Sequence, residues 1–397
     1  MQFSERMAHI KPSATLTINA KALELKSQGV DVTSLAIGEP NFPTPAHVCD
    51  AAKQAIDEGF TRYTAVPGIP PLREAIAGYF KRAYGVDVAP DCTIASNGGK
   101  QSLYNLFAAL LNDGDEVLIP SPYWVSYPDM VYLNGGVPVA VKAPASQGFK
   151  VTVEQLEAAL TPKAKILVFN SPSNPTGACY SVSERDAIVK WALDRGLFII
   201  ADEIYDQLVY EPNKPSSIIV WWKQYPDRIA VVNGLAKSFA MTGWRVGYTV
   251  THPDLVKKLS QITGQATGNI CSVSQKAAVA ALTGPYDCVE SMRQAFQKRR
   301  DMAWKEIASW SNVVCPKPEG AFYLFVKSPV ENEKEFCEVC KQYNVLVACT
   351  RLLSEAGVAL VPGDAFGAPD CIRFSYAVAD DVLMDALARV RKVLIGQ

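Results

Sequence analysis

The stretch KILVFNSPSNPTGACYSVSERDAIVKWALDRGLFIIADEIY, residues 165–205, decides the fold class. It opens with a buried-strand pattern at residues 165–169 and ends with a second one at residues 197–201. Between them, a turn-rich segment leads into a helix predicted from about Ser183 to Arg195, with Ser183 as its N-cap. A strand, a helix and a second strand in this order predict a parallel unit. Asp202 then follows at the carboxyl edge, where open α/β sheets bind ligands.

The same alternation of strand and helix patterns runs through most of the 397 residues. It predicts an α/β protein with a mainly parallel sheet. The pattern changes near Gly284-Pro285, and a Pro-rich stretch lies at residues 39–45. We therefore expect a large domain at residues 45–287 and a small domain that combines residues 1–44 with residues 288–397.

Composition excludes several classes of protein. The chain is 49% hydrophobic, which suits a folded core, and 39 Lys and Arg residues nearly balance 40 Asp and Glu residues, so no nucleic-acid partner is expected. No apolar run approaches the ~18 residues of a membrane span, and residues 1–11 lack the apolar segment of a secretory signal. Ten scattered cysteines predict free thiols in a reducing cytoplasm. Cys337 and Cys340 have no second pair or nearby His, so they are interpreted as structural thiols and no metal is expected.

Five polar features are candidates for chemistry. Asn97-Gly98-Gly99 opens a predicted helix, whose free N–H groups and dipole attract an anion. Asp202 follows a buried strand. Arg245 and Arg373 each lie in an apolar run predicted as a strand, where an arginine needs an anionic partner. Lys237 lies in a loop of small residues and is a candidate amine for a Schiff base.

Each of these features alone also has an ordinary structural explanation. The glycines could form a plain strand-to-helix turn, Lys237 could be a solvated surface lysine, and Arg373 could form an internal salt bridge. Together, however, the features specify a ligand with an aldehyde, a phosphate and a basic ring nitrogen. Pyridoxal phosphate fits all of these requirements.

Four ordered motifs give a resemblance to a known family. They are SPSNPTG at residues 171–177, ADEIY at 201–205, NGLAKSFAMTGWRVGY at 233–248 and IRFSY at 372–376. In their order and spacing, the sequence resembles the class I aminotransferases of the aspartate aminotransferase family, in the bacterial branch that includes aspartate/prephenate enzymes. The resemblance implies a large domain that binds pyridoxal phosphate and has a mainly parallel seven-stranded sheet between helices. It also implies a smaller α+β domain and a cytoplasmic homodimer with shared active sites.

The resemblance implies a set of roles around the cofactor. Lys237 would form the Schiff base and then move a proton between the substrate Cα and the cofactor C4′. Asp202 would pair with the ring nitrogen, while Tyr205 and Asn174 would bond the phenolic oxygen. The residues implied in the remaining ring and phosphate contacts are Gly98, Gly99, Lys100, Trp124, Arg245 and Tyr63, the last reaching the phosphate of the neighbouring subunit.

For the substrate, the resemblance implies one site for each carboxylate. Arg373, Asn174 and the backbone of Gly38 would clamp the α-carboxylate, with Trp124 beside them. Lys100 would meet the distal carboxylate of a dicarboxylic substrate, although it could also simply add charge near the phosphate.

Three further positions bear on specificity. Lys11 matches a lysine that the resemblance associates with larger dicarboxylates such as prephenate. Asn269 stands where close relatives have a serine near the distal carboxylate, so it is expected to contact the substrate with a different reach. Gly234 stands where many relatives have a serine that contacts the phosphate, so one hydroxyl anchor is missing.

The expected activity is transfer of the amino group of L-aspartate and L-glutamate to 2-oxoglutarate or oxaloacetate by ping-pong half-reactions, with prephenate as a further acceptor. Three alternatives stay open. One is an aminotransferase that prefers alanine or aromatic amino acids, and the second is a pyridoxal-phosphate C–S lyase of the same fold. The third is a regulatory protein that keeps the cofactor site without turnover.

Overall fold

The computed structural model describes residues 1–311, 313–327 and 346–395. Its strands are β1 (Thr33–Ser34), β2 (Thr93–Asn97), β3 (Glu116–Ser121), β4 (Val137–Lys142), β5 (Ala164–Asn170), β6 (Phe198–Asp202), β7 (Ile229–Gly234), β8 (Val246–Val250), β9 (Tyr323–Lys327), β10 (Val358–Ala359), β11 (Val361–Pro362) and β12 (Cys371–Ser375).

The helices alternate with these strands along the chain. They are α1 (Ala14–Ser27), α2 (Ala46–Asp57), α3 (Pro70–Tyr84), α4 (Gly99–Leu110), α5 (Ser126–Leu133), α6 (Val153–Ala159), α7 (Val182–Asp194), α8 (Ile219–Trp222), α9 (Pro253–Ala266), α10 (Ser272–Thr283), α11 (Asp287–Ala308), α12 (Leu346–Glu355) and α13 (Asp380–Ile395).

The large sheet has seven strands in the order β2-β8-β7-β6-β5-β3-β4. Strand β8 runs antiparallel to both of its neighbours, and the other pairings are parallel. The predicted α/β class and the mainly parallel seven-stranded sheet are therefore confirmed. The central strands β5, β6 and β7 read as continuous apolar runs because helices cover both faces of the sheet.

Alternate residues of the central strands enter two different hydrophobic cores. Leu167 and Ile199 pack on the side of α2, α3, α7 and α10. Ile166 and Ile200, one residue earlier or later, pack on the side of α4, α5 and α9. This two-residue alternation fixes which side chains of a strand can reach either layer.

The strand–helix–strand unit of residues 165–205 is present, but its helix begins earlier than the sequence analysis placed it. Ser181, not Ser183, is the N-cap of α7. Its side chain accepts a hydrogen bond from the Glu184 N–H, and the Glu184 carboxylate accepts one from the Ser181 N–H. This reciprocal pair satisfies two helix N–H groups at once, which favours Ser181 over the nearby serine.

A third core joins the two ends of the chain. The three-stranded antiparallel sheet β11-β12-β9 packs with α1, α11 and α13 around it, and β1 pairs in parallel with β10. The N-terminal segment therefore shares its apolar contacts with the C-terminal part. The predicted boundaries at residues 44/45 and 287/288 stay predictions.

Within the described part of the chain, every helix is too short or too polar to cross a membrane. The same residues contain no cluster of His, Cys, Asp and Glu suited to a metal ion. Seven of the cysteines in these ranges are free thiols, namely Cys49, Cys92, Cys179, Cys271, Cys288, Cys315 and Cys371. Cys337 and Cys340 lie outside the described residues.

Candidate active site

A cavity of about 440 Å³ lies where β5, β6 and β7 end, beside the first turn of α4. This is the sheet edge at which open α/β folds bind ligands. Most of the residues predicted for the site line this single cavity. They are Gly38, Gly98, Gly99, Lys100, Trp124, Asn174, Asp202, Tyr205, Lys237, Arg245 and Arg373.

Asp202 is the last residue of β6, and it lines the cavity from a buried position. The Tyr127 hydroxyl donates a hydrogen bond to its carboxylate at 2.6 Å, and the Ile204 N–H donates one at 3.3 Å. Burial raises the pKa of Asp202 because removal from water penalises the charged form. A protonated ring nitrogen would be a suitable cationic partner for this carboxylate.

Lys237 lies in the loop that follows β7, and its amine points into the cavity. The Nζ atom donates to the carbonyl oxygen of Gly38 and lies 5.8 Å from the centroid of the Tyr205 ring. Loss of hydration lowers the pKa of Lys237 to about 8. A larger fraction of the amine is therefore neutral near physiological pH, as a Schiff-base nucleophile requires.

The first turn of α4 and the side chain of Arg245 together form an anion cradle. Gly98 is the N-cap of α4, with a φ of 80° that favours glycine. The Arg245 guanidinium donates to the carbonyl oxygens of Asn97 and Thr242, each at 3.1 Å. A Cβ on Gly98 would lie 2.5 Å from an Arg245 nitrogen, so glycine allows the guanidinium to close over the helix N-terminus.

The prediction that Arg245 lies inside an apolar strand is wrong. Strand β8 begins at Val246, and Arg245 precedes it as an exposed residue with a φ of 56°. This left-handed backbone turns the chain just before the strand. The side chain therefore reaches α4 at the sheet edge instead of being buried within the sheet.

Arg373 is inside strand β12 as predicted, and it is only 2% exposed. Its Nη1 donates to Asn174 Oδ1 at 2.9 Å and its Nη2 donates to the Ala36 carbonyl at 2.6 Å. Both partners are neutral, and Nε has no partner among the described residues. Burial lowers the pKa of Arg373, with only Tyr323 and Tyr205 opposing that effect. A buried guanidinium in this state needs an anion.

Asn174 is held in the loop of residues 171–177, which is tied to the end of β6. Its backbone N–H donates to Asn170 Oδ1 at 3.0 Å, and Asn170 Nδ2 donates to the Asp202 carbonyl at 2.8 Å. Because Asn174 Oδ1 already accepts from Arg373, its Nδ2 donors are the part of the amide available to a ligand.

Two tyrosines in the cavity wall were missed by the sequence analysis. Tyr127 on α5 donates to Asp202. Tyr323 on β9 shares a hydrogen bond with Tyr205, with 2.8 Å between the two hydroxyl oxygens. Tyr323 follows the motif Gly320-Ala-Phe322, which the sequence analysis did not single out, and only the tertiary fold brings it beside Tyr205.

Lys100 and Trp124 form one side of the cavity mouth. The Lys100 Nζ lies 4.9 Å from the centroid of the Trp124 ring, which suits a cation–π contact. Partial desolvation and the neighbouring Arg245 lower the pKa of Lys100, and Asp129 opposes them. Lys100 thus presents a cation next to the anion cradle.

Three predicted residues do not line this cavity. Tyr63 lies between α2 and α3 and is 97% exposed. Asn269 uses its side-chain amide to donate to the Ile270 carbonyl at 2.7 Å. Lys11 lines a neighbouring cavity with Asp129 and Asp364. Their roles toward cofactor or substrate therefore stay predictions.

Gly234 lies at the end of β7, directly opposite Gly247 of β8. A Cβ on Gly234 would meet the Val246 carbonyl oxygen at 2.8 Å and the Gly247 Cα at 3.0 Å. A side chain at Gly247 would in turn collide with the backbone of Gly98. Close backbone packing beneath the cradle therefore leaves no room for a side chain at residue 234.

The residues fit pyridoxal phosphate on chemical grounds. The cradle of α4 and Arg245 suits a phosphate, and Asp202 suits a protonated ring nitrogen. Lys237 suits an aldehyde. The guanidinium of Arg373, which lines the same cavity and bonds neutral groups, adds a site for a carboxylate.

Comparisons with known proteins agree with this chemistry. The family profile described as "Aminotransferase class I and II" matches residues 30–390. An aspartate aminotransferase of Geobacillus stearothermophilus is 44% identical over 394 residues, 99% of each chain. An aspartate/prephenate aminotransferase of Cereibacter sphaeroides is also 44% identical, over 99% of this chain and 98% of its own.

Solved structures give the same result at the level of the fold. The aspartate aminotransferase from Thermus thermophilus with maleate superposes with a TM-score of 0.91 at 41% identity, covering 99% of this chain and 100% of its own. The aspartate aminotransferase from Rhizobium meliloti superposes with a TM-score of 0.91 at 37% identity, covering 99% of both chains.

Proposed function

Because this chain belongs to the class I and II aminotransferases, we propose that it transfers the amino group of L-aspartate, and of L-glutamate, to a 2-oxo acid. It is a pyridoxal-phosphate-dependent transaminase. The observation that carries the substrate class is the buried Arg373, which lies in the cavity of Lys237 and bonds only neutral groups among the residues that the structure describes. Every α-amino acid and 2-oxo acid carries a carboxylate that would give this guanidinium an anionic partner.

Each part of the cofactor has a matching group in the cavity. Gly98, Gly99 and Arg245 would hold the phosphate, and Trp124 would cover the ring face. Asp202 would hold the ring nitrogen in its protonated form. When bound, pyridoxal phosphate supplies an aldehyde that takes up the amino group and a ring that withdraws electrons from the substrate Cα.

The chain's own groups then place the substrate and move its proton. Arg373, Asn174 Nδ2 and the backbone at Gly38 hold the α-carboxylate. The Lys237 amine, with its pKa lowered to about 8, is suited to take a proton from the substrate Cα and to return it in the reverse half-reaction. Tyr205 and Asn174 would donate toward the ring oxygen of the bound cofactor and so favour its ionised form.

Lys100 supports a preference for dicarboxylic substrates. Its ammonium lies at the cavity mouth, beside Trp124 and on the first turn of α4. A distal carboxylate of aspartate or 2-oxoglutarate would pair with it. For a larger acceptor such as prephenate, Lys11 in the adjoining cavity is the further candidate cation.

The exposed Tyr63 supports a homodimer with shared active sites. It does not line the cavity of its own chain, and its side chain is 97% exposed. In a dimer, Tyr63 would reach the cofactor phosphate of the partner subunit. We also place the dimer in the cytoplasm, where the predicted free thiols would stay reduced.

The test is a spectrophotometric half-reaction on the cofactor-loaded protein. L-aspartate, L-glutamate, L-alanine and L-phenylalanine are added one at a time without a 2-oxo acid. Rapid loss of the visible band is expected with aspartate and glutamate, and 2-oxoglutarate or prephenate should restore it. Lys237→Ala is the matched control, and it should abolish the response.

Other outcomes would replace the proposal. A response mainly to alanine or phenylalanine would keep the enzyme class and contradict the dicarboxylate preference. Release of pyruvate and ammonia from cystathionine without an acceptor would favour a C–S lyase. Cofactor binding without a response to any amino acid would favour a regulatory protein.

A further inference from the structure

Tyr323 occupies a central position in the cavity wall. Its side chain is 1% exposed, and its hydroxyl lies 2.8 Å from that of Tyr205. A Cβ on Gly38 would collide with the same hydroxyl, so a glycine at residue 38 leaves room for it. Tyr323 therefore contacts the Tyr205 hydroxyl and lies against the backbone of Gly38, whose carbonyl oxygen accepts a hydrogen bond from Lys237.

The Tyr205–Tyr323 hydrogen bond leaves one proton for the cavity. Two hydroxyls that share one hydrogen bond use one proton between them, and the accepting hydroxyl keeps its own proton for a third group. If Tyr323 donates, the Tyr205 proton is free to point into the cavity. If Tyr205 donates, its proton is spent on Tyr323 and cannot reach a ligand.

The surroundings of Tyr323 favour it as the donor. The Arg373 guanidinium carbon lies 4.5 Å from the centroid of the Tyr323 ring. A cation over a phenol ring stabilises negative charge on its oxygen, which makes the hydroxyl a stronger donor. Within the described ranges, the cation recorded over the Tyr205 ring is Lys237, whose Nζ lies farther away at 5.8 Å from the ring centroid.

We propose that Tyr323 is a positioning residue whose hydroxyl donates to the Tyr205 oxygen and thereby aims the Tyr205 proton at the ring oxygen of the bound cofactor. This inference rests on the proposed function, because the proposed function makes the cofactor ring oxygen the acceptor of the Tyr205 proton. It also links the α-carboxylate site to the cofactor. Arg373 contacts the Tyr323 ring, and Tyr323 in turn contacts Tyr205.

The experiment is a pH titration of the visible absorption of the cofactor-loaded protein, with Tyr323→Phe compared with the wild type. Phenylalanine keeps the ring against Arg373 and removes only the hydroxyl. The titration midpoint should rise by about 0.5 to 1 pH unit, the size expected for one lost hydrogen bond. Site-specific 3-fluorotyrosine at position 323 keeps the packing and strengthens the donor, so its midpoint should fall.

A double-mutant cycle separates positioning from packing. Tyr205→Phe alone should raise the midpoint, and adding Tyr323→Phe should then change nothing more. Tyr210→Phe is the matched control, because it removes a buried hydroxyl that donates to the Ala321 carbonyl outside the cavity. It should leave the midpoint unchanged, and melting curves confirm that each variant is folded.

Two results would overturn the proposal. One is an unchanged midpoint in Tyr323→Phe together with an unchanged midpoint in the fluorotyrosine protein. The other is an equal rise in the Tyr205→Phe background, because Tyr323 would then act without Tyr205. A wild-type protein that develops no visible band with pyridoxal phosphate would instead refute the proposed function.

Discussion

Replacing Arg373 with Gln should remove most of the activity without destabilising the free protein. Arg373 has five N–H donors, of which Asn174 and Ala36 use one each. The second N–H groups of the two terminal nitrogens are the donors that we assign to the α-carboxylate of the substrate. Gln keeps a donor for the local backbone and removes the charge.

The size of the effect follows from the bonds that are lost. A carboxylate that binds a guanidinium through two N–H groups makes two charge-assisted hydrogen bonds, each worth about 1.5–3 kcal/mol. Loss of both removes about 3–6 kcal/mol, which lowers kcat/KM by about 10² to 10⁴-fold. The factor should be similar for aspartate and alanine, because both carry the same α-carboxylate.

The stability of Arg373→Gln should change in the opposite direction from that of a matched control, Arg185→Gln. Arg373 is buried with neutral partners, so its removal relieves an uncompensated charge, and the melting temperature of the cofactor-free protein should hold or rise. Arg185→Gln removes a buried arginine that pairs with Asp186 at 2.7 Å and donates to Ser216. That control should lower the melting temperature and leave kcat/KM unchanged.

The assay is steady-state transamination with aspartate and with alanine, together with melting curves of both variants. The reasoning fails if Arg373→Gln keeps kcat/KM within about threefold of the wild type, since that is well below the loss of even one charge-assisted bond. It also fails if the aspartate rate falls much more than the alanine rate. Arg373 would then serve the distal carboxylate rather than the α-carboxylate.

Three further variants test other parts of the molecule. Lys100→Ala should lower kcat/KM for aspartate by about 10 to 10²-fold, the loss of one charge-assisted bond, and change the value for alanine little; an equal loss for both would place Lys100 with the phosphate. Burial raises the pKa of Glu203 to about 8 from 4.5. Between pH 4.5 and about 8, the folded state keeps a proton that the unfolded chain releases. The free energy of unfolding should therefore fall as pH rises across this range. Glu203→Gln should flatten this slope in urea titrations at several pH values, and an unchanged slope would contradict the assignment. Gly234→Ala places a Cβ 2.8 Å from the Val246 carbonyl. It should lower the free energy of unfolding by about 1–3 kcal/mol and weaken cofactor binding, whereas wild-type values for both would show that the strands can separate at no cost.

The large sheet could be predicted from the sequence because its strands are buried on both faces. Strands such as β5 and β6 are continuous apolar runs bounded by turn residues, and this signal is local. The exact first residue of a helix depends on competition between neighbouring residues that can each cap it. Ser181 and Ser183 are both acceptable caps, and the spacing of Ser181 to Glu184 was the available signal that distinguished them.

A site residue could be predicted where its type and local sequence implied one chemistry. It could not be predicted where tertiary contacts alone bring it to the site. A lone arginine in the apolar run of β12 could be identified from the sequence as a buried cation in need of an anion. The same reasoning failed for Arg245, because a φ of 56° leaves no mark in the residue types around it. Tyr127 and Tyr323 lie far along the chain from the groups that they touch, so no local pattern marks them.

The charges that line the cavity favour the binding of anionic ligands and disfavour the stability of the ligand-free protein. The charged groups that line it are the cations Lys100, Lys237, Arg245 and Arg373 and the carboxylates Glu39 and Asp202. Like charges in one partly desolvated space lower each other's affinity for a proton, as Arg373 and Arg245 do for the pKa of Lys237. A phosphate and a dicarboxylic substrate would supply the missing negative charge. The lining of the free protein therefore carries an excess of positive charge, and cofactor and dicarboxylate should each raise the melting temperature, with a stabilisation that grows with the logarithm of ligand concentration above Kd.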